Sequence, residues 1–196
     1  IQQYIEKKSW KVPNLYLIDD NNEQIKLFNL MSQEFVLVTE SQIIANNLIQ
    51  KQLMLNSCQS NTVSILDIGI GSGQQIAKVL SAWKKDGSPL PEKVYVYGIE
   101  PSLDSLNSAR ERLASISTLC GINIDFVPFH MTVEEMTLEN WSNIDEMVKF
   151  NNSRLVINAS FSMHHIPIKY RDRIFHRLKS FEPSLFTYIE PYADYI

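Results

Sequence analysis

Three glycines alternate with other residues in a short segment that begins with an acid, Asp67-x-Gly69-x-Gly71-x-Gly73. Glycine has no Cβ atom, so its backbone can approach a ligand closely and can take positive φ angles in a tight turn. An apolar run over 63–68 precedes the segment, and a helical pattern follows it. The segment is therefore predicted to form a ligand-binding loop between a strand and a helix, outside the carboxyl end of the strand.

The spacing of the glycines separates two classes of ligand. A dinucleotide fingerprint, G-x-G-x-x-G, needs its third glycine where this sequence has Gln74 or Ile76. A nicotinamide enzyme is therefore not expected. The D-x-G-x-G-x-G pattern instead resembles motif I of class I methyltransferases. This resemblance implies that the loop, with Gln74 beside it, binds the amino-acid part of S-adenosylmethionine.

A second acid, Glu100, follows the next apolar run. A carboxylate one strand–helix unit after the glycine loop can accept hydrogen bonds from both hydroxyl groups of a ribose. Pro101 is expected to end the strand, and Ser102 can cap the helix that follows. We expect Glu100, Pro101 and Ser102 to bind the ribose of the ligand; the alternative is that Glu100 is a plain polar loop residue.

Two further strand ends are expected at the same edge of the sheet. After the third strand, Met131 can pack on an adenine ring while His130 and Thr132 reach its polar edge. This segment contains no acid, so an ordinary strand end is an equal alternative. After the fourth strand, Asn158 and Ala159 leave the sheet beside the position expected for the sulfonium group of the ligand.

Adjacent histidines, His164 and His165, follow the fourth strand. An imidazole, with an ordinary pKa near 6.5, can remove a proton from a hydroxyl or amine group. Methyl transfer from a sulfonium needs little beyond that step and orientation, so we predict that one histidine is a catalytic base. Neighbouring side chains diverge, so only one is expected to face the site; the alternative is an imidazole that packs under the loop. No metal site is assigned, because no ligand residue stands at suitable spacing beside the pair.

Apolar runs that alternate with helical patterns place these residues in a fold. The runs cover 63–68, 94–99, 122–129, 154–159 and 185–189. Strands buried on both faces and joined by helices predict a parallel sheet with right-handed crossovers and helices on both faces. The predicted fold class is α/β, a Rossmann-like core with a mostly parallel sheet. A helix is expected before it over 39–58, because Thr39-x-x-Gln42 has the form of a capping box.

Composition limits the class of protein. The 196 residues are 44% hydrophobic and 20% charged, which is ordinary for a folded domain. A net charge of −4 without a dense basic run does not indicate a nucleic-acid surface. No segment has the ~20 apolar residues that span a membrane, and the two cysteines fit a reducing compartment, so a cytoplasmic protein is expected. The oligomeric state is not readable.

These patterns resemble the methyltransferase superfamily in general and the GRAS family more closely. The segment 158–165 is similar to the family's Asn-x-x-Phe-x-Leu-His-His/Arg stretch, and 178–190 resembles its Leu-x-x-Leu-x-Pro and Thr-x-Val-Glu patterns. The segment 41–49 looks like the helix before its sheet. The resemblance implies a Rossmann-like methyltransferase core, over 61–196, beneath an N-terminal helical cap region, over 1–60. It also implies further strands after Glu190, so we expect the core to be incomplete at its C-terminus.

One departure from the family affects the functional prediction. Plant regulators of the family generally lack an intact glycine motif, whereas Gly69, Gly71 and Gly73 are all present here. We therefore expect an S-adenosylmethionine-dependent methyltransferase that acts on a small-molecule acceptor and releases S-adenosylhomocysteine. The alternative is a GRAS-like regulatory or interaction module that binds S-adenosylmethionine or a related ligand without catalysis.

Overall fold

The computed structural model describes residues 35–190, so most of the cap region predicted over 1–60 lies outside the described residues. Helices alternate with strands along this part of the chain. The elements are α1 (Val36–Ser57), β1 (Thr62–Ile68), α2 (Gln74–Asp86), β2 (Lys93–Ile99), α3 (Leu103–Cys120), β3 (Asn123–Phe129), α4 (Leu138–Phe150), β4 (Leu155–Ser160), α5 (Ile168–Ser180) and β5 (Leu185–Ile189). Short 3₁₀ turns, Val133–Glu135 and Met163–His165, precede α4 and α5.

The strands form one parallel sheet in the order β3-β2-β1-β4-β5. Central strands of such a sheet are covered on both faces, which is why β1, β2 and β4 read as near-continuous apolar runs. The α/β, Rossmann-like fold predicted from the sequence is confirmed. Asp67 of β1 pairs in register with Gly98 of β2 and Asn158 of β4, so the carboxyl ends of these strands lie side by side.

Two separate apolar cores cover the faces of the sheet, because successive side chains of a strand point to opposite faces. Val63 and Ile65 of β1 pack in the core that also holds buried residues of α1, α2 and α3. Leu66 and Ile68 pack in the other core, with buried residues of α4 and α5. Residues 35–190 therefore form three layers, with three helices on one face of the sheet and two on the other.

Helix α1 belongs to the first of these cores, where Ile49 and Leu53 are fully buried. It begins at Val36, before the start predicted from the capping-box pattern. The predicted helix is present, and only its start was wrong: the Thr39 hydroxyl donates to the carbonyl of Phe35, one turn earlier, instead of capping the end of the helix. Among the described helices, none is long and apolar enough to cross a membrane.

Helices α2 and α3 approach each other closely at one glycine. Gly73 starts α2 with a φ of +70°, and a Cβ atom placed on it would lie 3.2 Å from both Cα and Cβ of Ala109 in α3. Trp83 is fully buried on the inner side of α2. The loop glycine thus sets the distance between the two helices at their point of contact.

We expect Gly73→Ala to destabilise the fold more than Gly121→Ala does. Both glycines have a φ near +70°, so each substitution carries the strain of an L-residue in the left-handed region, about 1–2 kcal/mol. Only Gly73 also has backbone within contact distance, since a Cβ on Gly121 would meet no atom within 4 Å. Urea denaturation should show an additional loss of about 1–3 kcal/mol for Gly73→Ala. Equal losses would mean that α3 moves aside without cost.

Candidate functional site

The glycines of the loop after β1 all have positive φ, but they have different neighbours. A Cβ on Gly69 would lie 2.6 Å from the Cβ of Ser162, and Gly73 lies against Ala109. A Cβ on Gly71 would meet no atom within 4 Å. Of the three loop glycines, only Gly71 therefore borders open space that a ligand can enter.

The crevice at the switch point of the sheet is partly filled by a side chain of the protein. The chain runs outward from β1 in one direction to β2 and β3, then returns to β4 on the other side, and ligands of open α/β sheets bind at such a reversal. Here Ser162, after β4, donates its hydroxyl to the carbonyl of Ile68 at 2.7 Å and packs on Gly69. Gly71, which borders the open space, lies on the β2 side, since its N–H donates to Glu100 directly after β2.

Glu100 lies at that side and is 95% buried, with 5% of its surface exposed. Its carboxylate accepts the backbone N–H of Gly71 at 3.1 Å and that of Ser102 at 3.0 Å, one on each oxygen. Burial raises the pKa of Glu100, opposed by these two N–H groups and by the nearby His130. Each oxygen retains a second acceptor position, so the carboxylate holds the loop and can still accept a ligand hydroxyl.

The residues after Glu100 mainly organise the backbone. Ser102 caps α3 as predicted, its hydroxyl accepting from the N–H of Ser105 at 3.3 Å. The Pro101 carbonyl lies 3.0 Å from Nε2 of His130. This contact joins the segment after β2 to the segment after β3, and it places a titratable ring at the rim of the candidate site.

Met131 and Thr132 are both partly engaged within the protein. Met131 packs against the core on the α4 and α5 face. The hydroxyl and the backbone N–H of Thr132 both donate to Glu135, at 3.0 and 2.8 Å, and Thr132 starts the 3₁₀ turn before α4. The adenine contacts predicted for these residues stay predictions.

A buried polar cluster lies below the glycine loop and links three strands. The Asn158 amide of β4 donates to Asp67 of β1 at 2.7 Å and to Gln75 of α2 at 3.3 Å, and its oxygen accepts from Thr187 of β5 at 2.8 Å. Asp67 and Asn158 are 2% and 1% exposed. The neighbouring Ala159 is fully buried in the opposite core, so only its backbone faces the site.

Burial raises the pKa of Asp67 to about 7. The hydrogen bond from Asn158 opposes this rise, and the charge of Glu100 adds to it. Asp67 therefore changes its protonation state near neutral pH. A group bound above it that carries positive charge would favour its ionised form.

The structure brings residues to the candidate site that the sequence did not predict, and it places the neighbours Gln74 and Gln75 in different surroundings. Gln74, predicted as a ligand contact, lines an outer groove between α2 and α3, whereas Gln75 reaches Asn158. Thr187 and Glu190 also contribute to this edge. The sequence did contain a signal for both residues: Thr187 is a polar residue inside the apolar run 185–189, and Glu190 is an acid directly after that run.

Glu190 organises the segment that follows β4. One of its oxygens accepts the backbone N–H groups of Ser162 and Met163. The other pairs with Nδ1 of His164, whose carbonyl in turn accepts from Arg171 at 3.1 Å. His164 is thus tied into a network that shapes the backbone, but its ring is exposed and does not pack under the loop.

The expectation that the two histidines diverge is wrong. Their ring centroids lie 3.7 Å apart with the planes tilted by 44°, because both side chains of this short 3₁₀ turn fold toward the same side. Burial lowers the pKa of His165 to about 4, helped by the charge of His164 and opposed by that of Glu190. His165 is therefore a neutral ring at neutral pH, packed on a ring that is paired with a carboxylate.

We expect Asp67→Asn to gain stability relative to the wild type as the pH rises. In an unfolded chain an aspartate has a pKa near 4, so the folded protein holds a proton on Asp67 that the unfolded chain releases. The stability from this proton is present below about pH 4 and is lost as the pH rises through about 7. The Asn side chain is neutral at every pH and keeps an oxygen for Asn158.

Urea denaturation at about pH 5 and about pH 8 should therefore show an advantage of Asp67→Asn that grows by about 2–3 kcal/mol between them. The same variant measured at both values is its own control for altered packing. A difference between the two proteins that does not change with pH would contradict the raised pKa.

Comparison with known proteins identifies the family of this fold and site. The model of the GRAS domain family matches residues 9–195. The protein is 26% identical over 141 residues to Chitin-inducible gibberellin-responsive protein 2 of Oryza sativa subsp. japonica, covering 65% of this chain and 24% of that protein. It is 24% identical over 145 residues to Scarecrow-like transcription factor PAT1 of Arabidopsis thaliana, covering 67% of this chain and 28% of that protein.

A solved structure supports the fold. The crystal structure of SCL7 from Oryza sativa superposes with a TM-score of 0.69 at 20% identity, covering 83% of this chain and 45% of that chain. At this level of identity the likeness shows the fold alone. The chain spans about a quarter of the length of the curated relatives that it matches.

The prediction that this chain is an S-adenosylmethionine-dependent methyltransferase is wrong. One relative is named a transcription factor and another a gibberellin-responsive protein, and neither is named a methyltransferase. Because the family model covers residues 9–195, nearly the whole chain, this protein belongs to the GRAS domain family.

Proposed function

We propose that this chain is a regulatory module that binds S-adenosylmethionine, or a related adenosyl ligand, without catalysis. The observation that carries the proposal is the open space over Gly71, where a Cβ atom would meet nothing within 4 Å. Gly69 and Gly73 are explained by protein atoms that approach them. Gly71 has no such neighbour: its φ of +53° favours glycine, and the space beside it leaves room for a ligand seated on the loop.

The chemistry around Gly71 fits an adenosyl ligand. Glu100, with one acceptor position left on each oxygen, can receive the two hydroxyls of a ribose. The carboxyls of Asp67 and Glu100, both buried and both with raised pKa, favour a ligand with positive charge. S-adenosylmethionine carries both features, a ribose diol and a sulfonium, and the glycine pattern resembles the loop that binds it in methyltransferases.

The absence of catalysis in the proposal rests on the names of the relatives, neither of which is that of a methyltransferase. The low pKa of His165, about 4, also makes that residue a weak base. The regulatory role is carried over from the relatives, one of which is named a transcription factor. Binding at the glycine loop would then alter the contacts of this chain with other proteins, without the chemical conversion of a substrate.

The test is calorimetric titration of S-adenosylmethionine into the wild type and two variants of the site. Glu100→Ala should lose about 2–4 kcal/mol of binding free energy, at least about tenfold in Kd, because it removes charge-assisted hydrogen bonds. Gly71→Ala should weaken binding by a similar factor, because its methyl group enters the ligand space. S-adenosylhomocysteine should bind more weakly than S-adenosylmethionine, since it lacks the sulfonium charge.

Gly87→Ala is the matched control for Gly71→Ala. Gly87 also has a positive φ, +74°, and a Cβ on it would meet nothing within 4 Å. Its substitution has a similar backbone strain but lies at the far end of α2, so affinity should not change. Failure of the wild type to bind either compound, or equal losses in Gly71→Ala and Gly87→Ala, would refute the site.

A further inference from the structure

A second surface of the protein lies on the solvent side of α2 and α3, away from the sheet. A groove of about 370 Å³ runs between the two helices. Its floor is formed by small or apolar side chains, Ala77, Ala82 and Ile116, and its rim carries Lys78, Lys85 and Arg112. The close contact of Gly73 with Ala109 holds the helices at the spacing that forms this groove.

The charge of the groove is opposite to that of the whole chain. Among the residues that the structure describes, three cationic side chains line it and no carboxylate does, although the chain has a net charge of −4. None of the three forms an ion pair within residues 35–190. Lys78, Lys85 and Arg112 are all exposed, so their charges are available to a partner and are not used to hold the fold.

The dimensions and chemistry of the groove suit a helix. From Gln74 to Lys85 it follows about 16 Å of α2, at 1.5 Å per residue, which is about three turns of a partner helix. The alanines on its floor allow a close approach, and an apolar floor is characteristic of helix-in-groove recognition. A nucleic-acid backbone would use the cations but would leave this apolar floor without a partner.

We propose that this groove binds an amphipathic, acidic helix of a partner protein. The apolar side chains of that helix pack on Ala77, Ala82 and Ile116, and its carboxylates pair with Lys78, Lys85 and Arg112. The proposal rests on the proposed regulatory function in one respect, that such a module acts through other proteins. The groove does not include Gly71 or Glu100, so the two sites can be tested separately.

The test is selection from a displayed library of random peptides of about 15 residues, which is long enough to fill the about three turns that the groove follows. Binders to the wild-type chain are counter-selected against the double variant Lys78→Glu/Lys85→Glu. The retained peptides should be rich in Asp and Glu, with apolar residues at helical spacing. Fluorescence anisotropy of one such peptide should show a Kd weakened about tenfold or more by the double variant, and weaker binding in high salt.

The matched control is Lys51→Glu/Lys84→Glu, which makes the same change in net charge at exposed lysines outside the groove. It should leave peptide affinity nearly unchanged. Equal losses in the two double variants, retained peptides without acidic residues, or no peptides left after counter-selection would overturn the proposal. The proposal would also be overturned if the wild type bound a DNA duplex and only Lys78→Glu/Lys85→Glu, and not the control variant, lost that binding.

Two crossed measurements separate this proposal from the proposed ligand function. The groove variant should still bind S-adenosylmethionine in calorimetry, which also shows that it is folded. Glu100→Ala should still bind the selected peptide. A wild-type protein that binds the peptide but not S-adenosylmethionine would refute the ligand site alone. A wild-type protein that binds S-adenosylmethionine but no selected peptide would refute the docking surface alone.

Discussion

The loop after β1 is held by two close approaches that only glycine permits, and the carboxyl edge of the sheet is organised around them. Gly69 lies against Ser162, which joins the end of β1 to the segment after β4. Gly73 lies against Ala109, which seats the start of α2 on α3. With both sides fixed, the loop has one position left that faces open space, at Gly71, and Glu100 holds the backbone N–H of that residue. The same contact between helices determines the spacing of the groove on their outer side.

Beneath the loop, a polar cluster keeps the strand ends in register. Asn158 donates to Asp67 and accepts from Thr187, so one amide connects β1, β4 and β5. A buried amide or carboxyl left without a partner typically destabilises a protein by about 1–3 kcal/mol, so the members of the cluster hold one another in place. Because the pKa of Asp67 is near 7, the charge below the loop depends on pH in the neutral range. The candidate ligand space therefore lies over a carboxyl group whose charge depends on the pH.

The sequence predicted the fold well because burial on both faces leaves a clear record in the composition of a strand. The run 185–189 coincides with β5, the runs 63–68, 94–99 and 122–129 differ from their strands by one residue at the start, and the run 154–159 is displaced from β4 by one residue. The start of α1 was missed because a threonine hydroxyl can bond to a carbonyl within a helix as readily as it can cap one, and the Thr39 pattern does not distinguish these. For the site, Asp67, Glu100 and Asn158 follow from their places at strand ends. Ser162 and Glu190 do not, since their partners are set by the order of the strands and not by spacing along the chain.

The histidines have a structural role in the segment after β4 that residue type alone did not predict. Nδ1 of His164 is paired with Glu190, which fixes the orientation of the ring. The other oxygen of Glu190 accepts the backbone N–H groups of Ser162 and Met163, so the pair shapes the turn that presses Ser162 onto Gly69. Residues that suggest proton transfer in the sequence thus serve the geometry of the loop. The stronger indication of a ligand comes from Gly71, a residue with no functional group, because the space beside it is left unfilled by the protein.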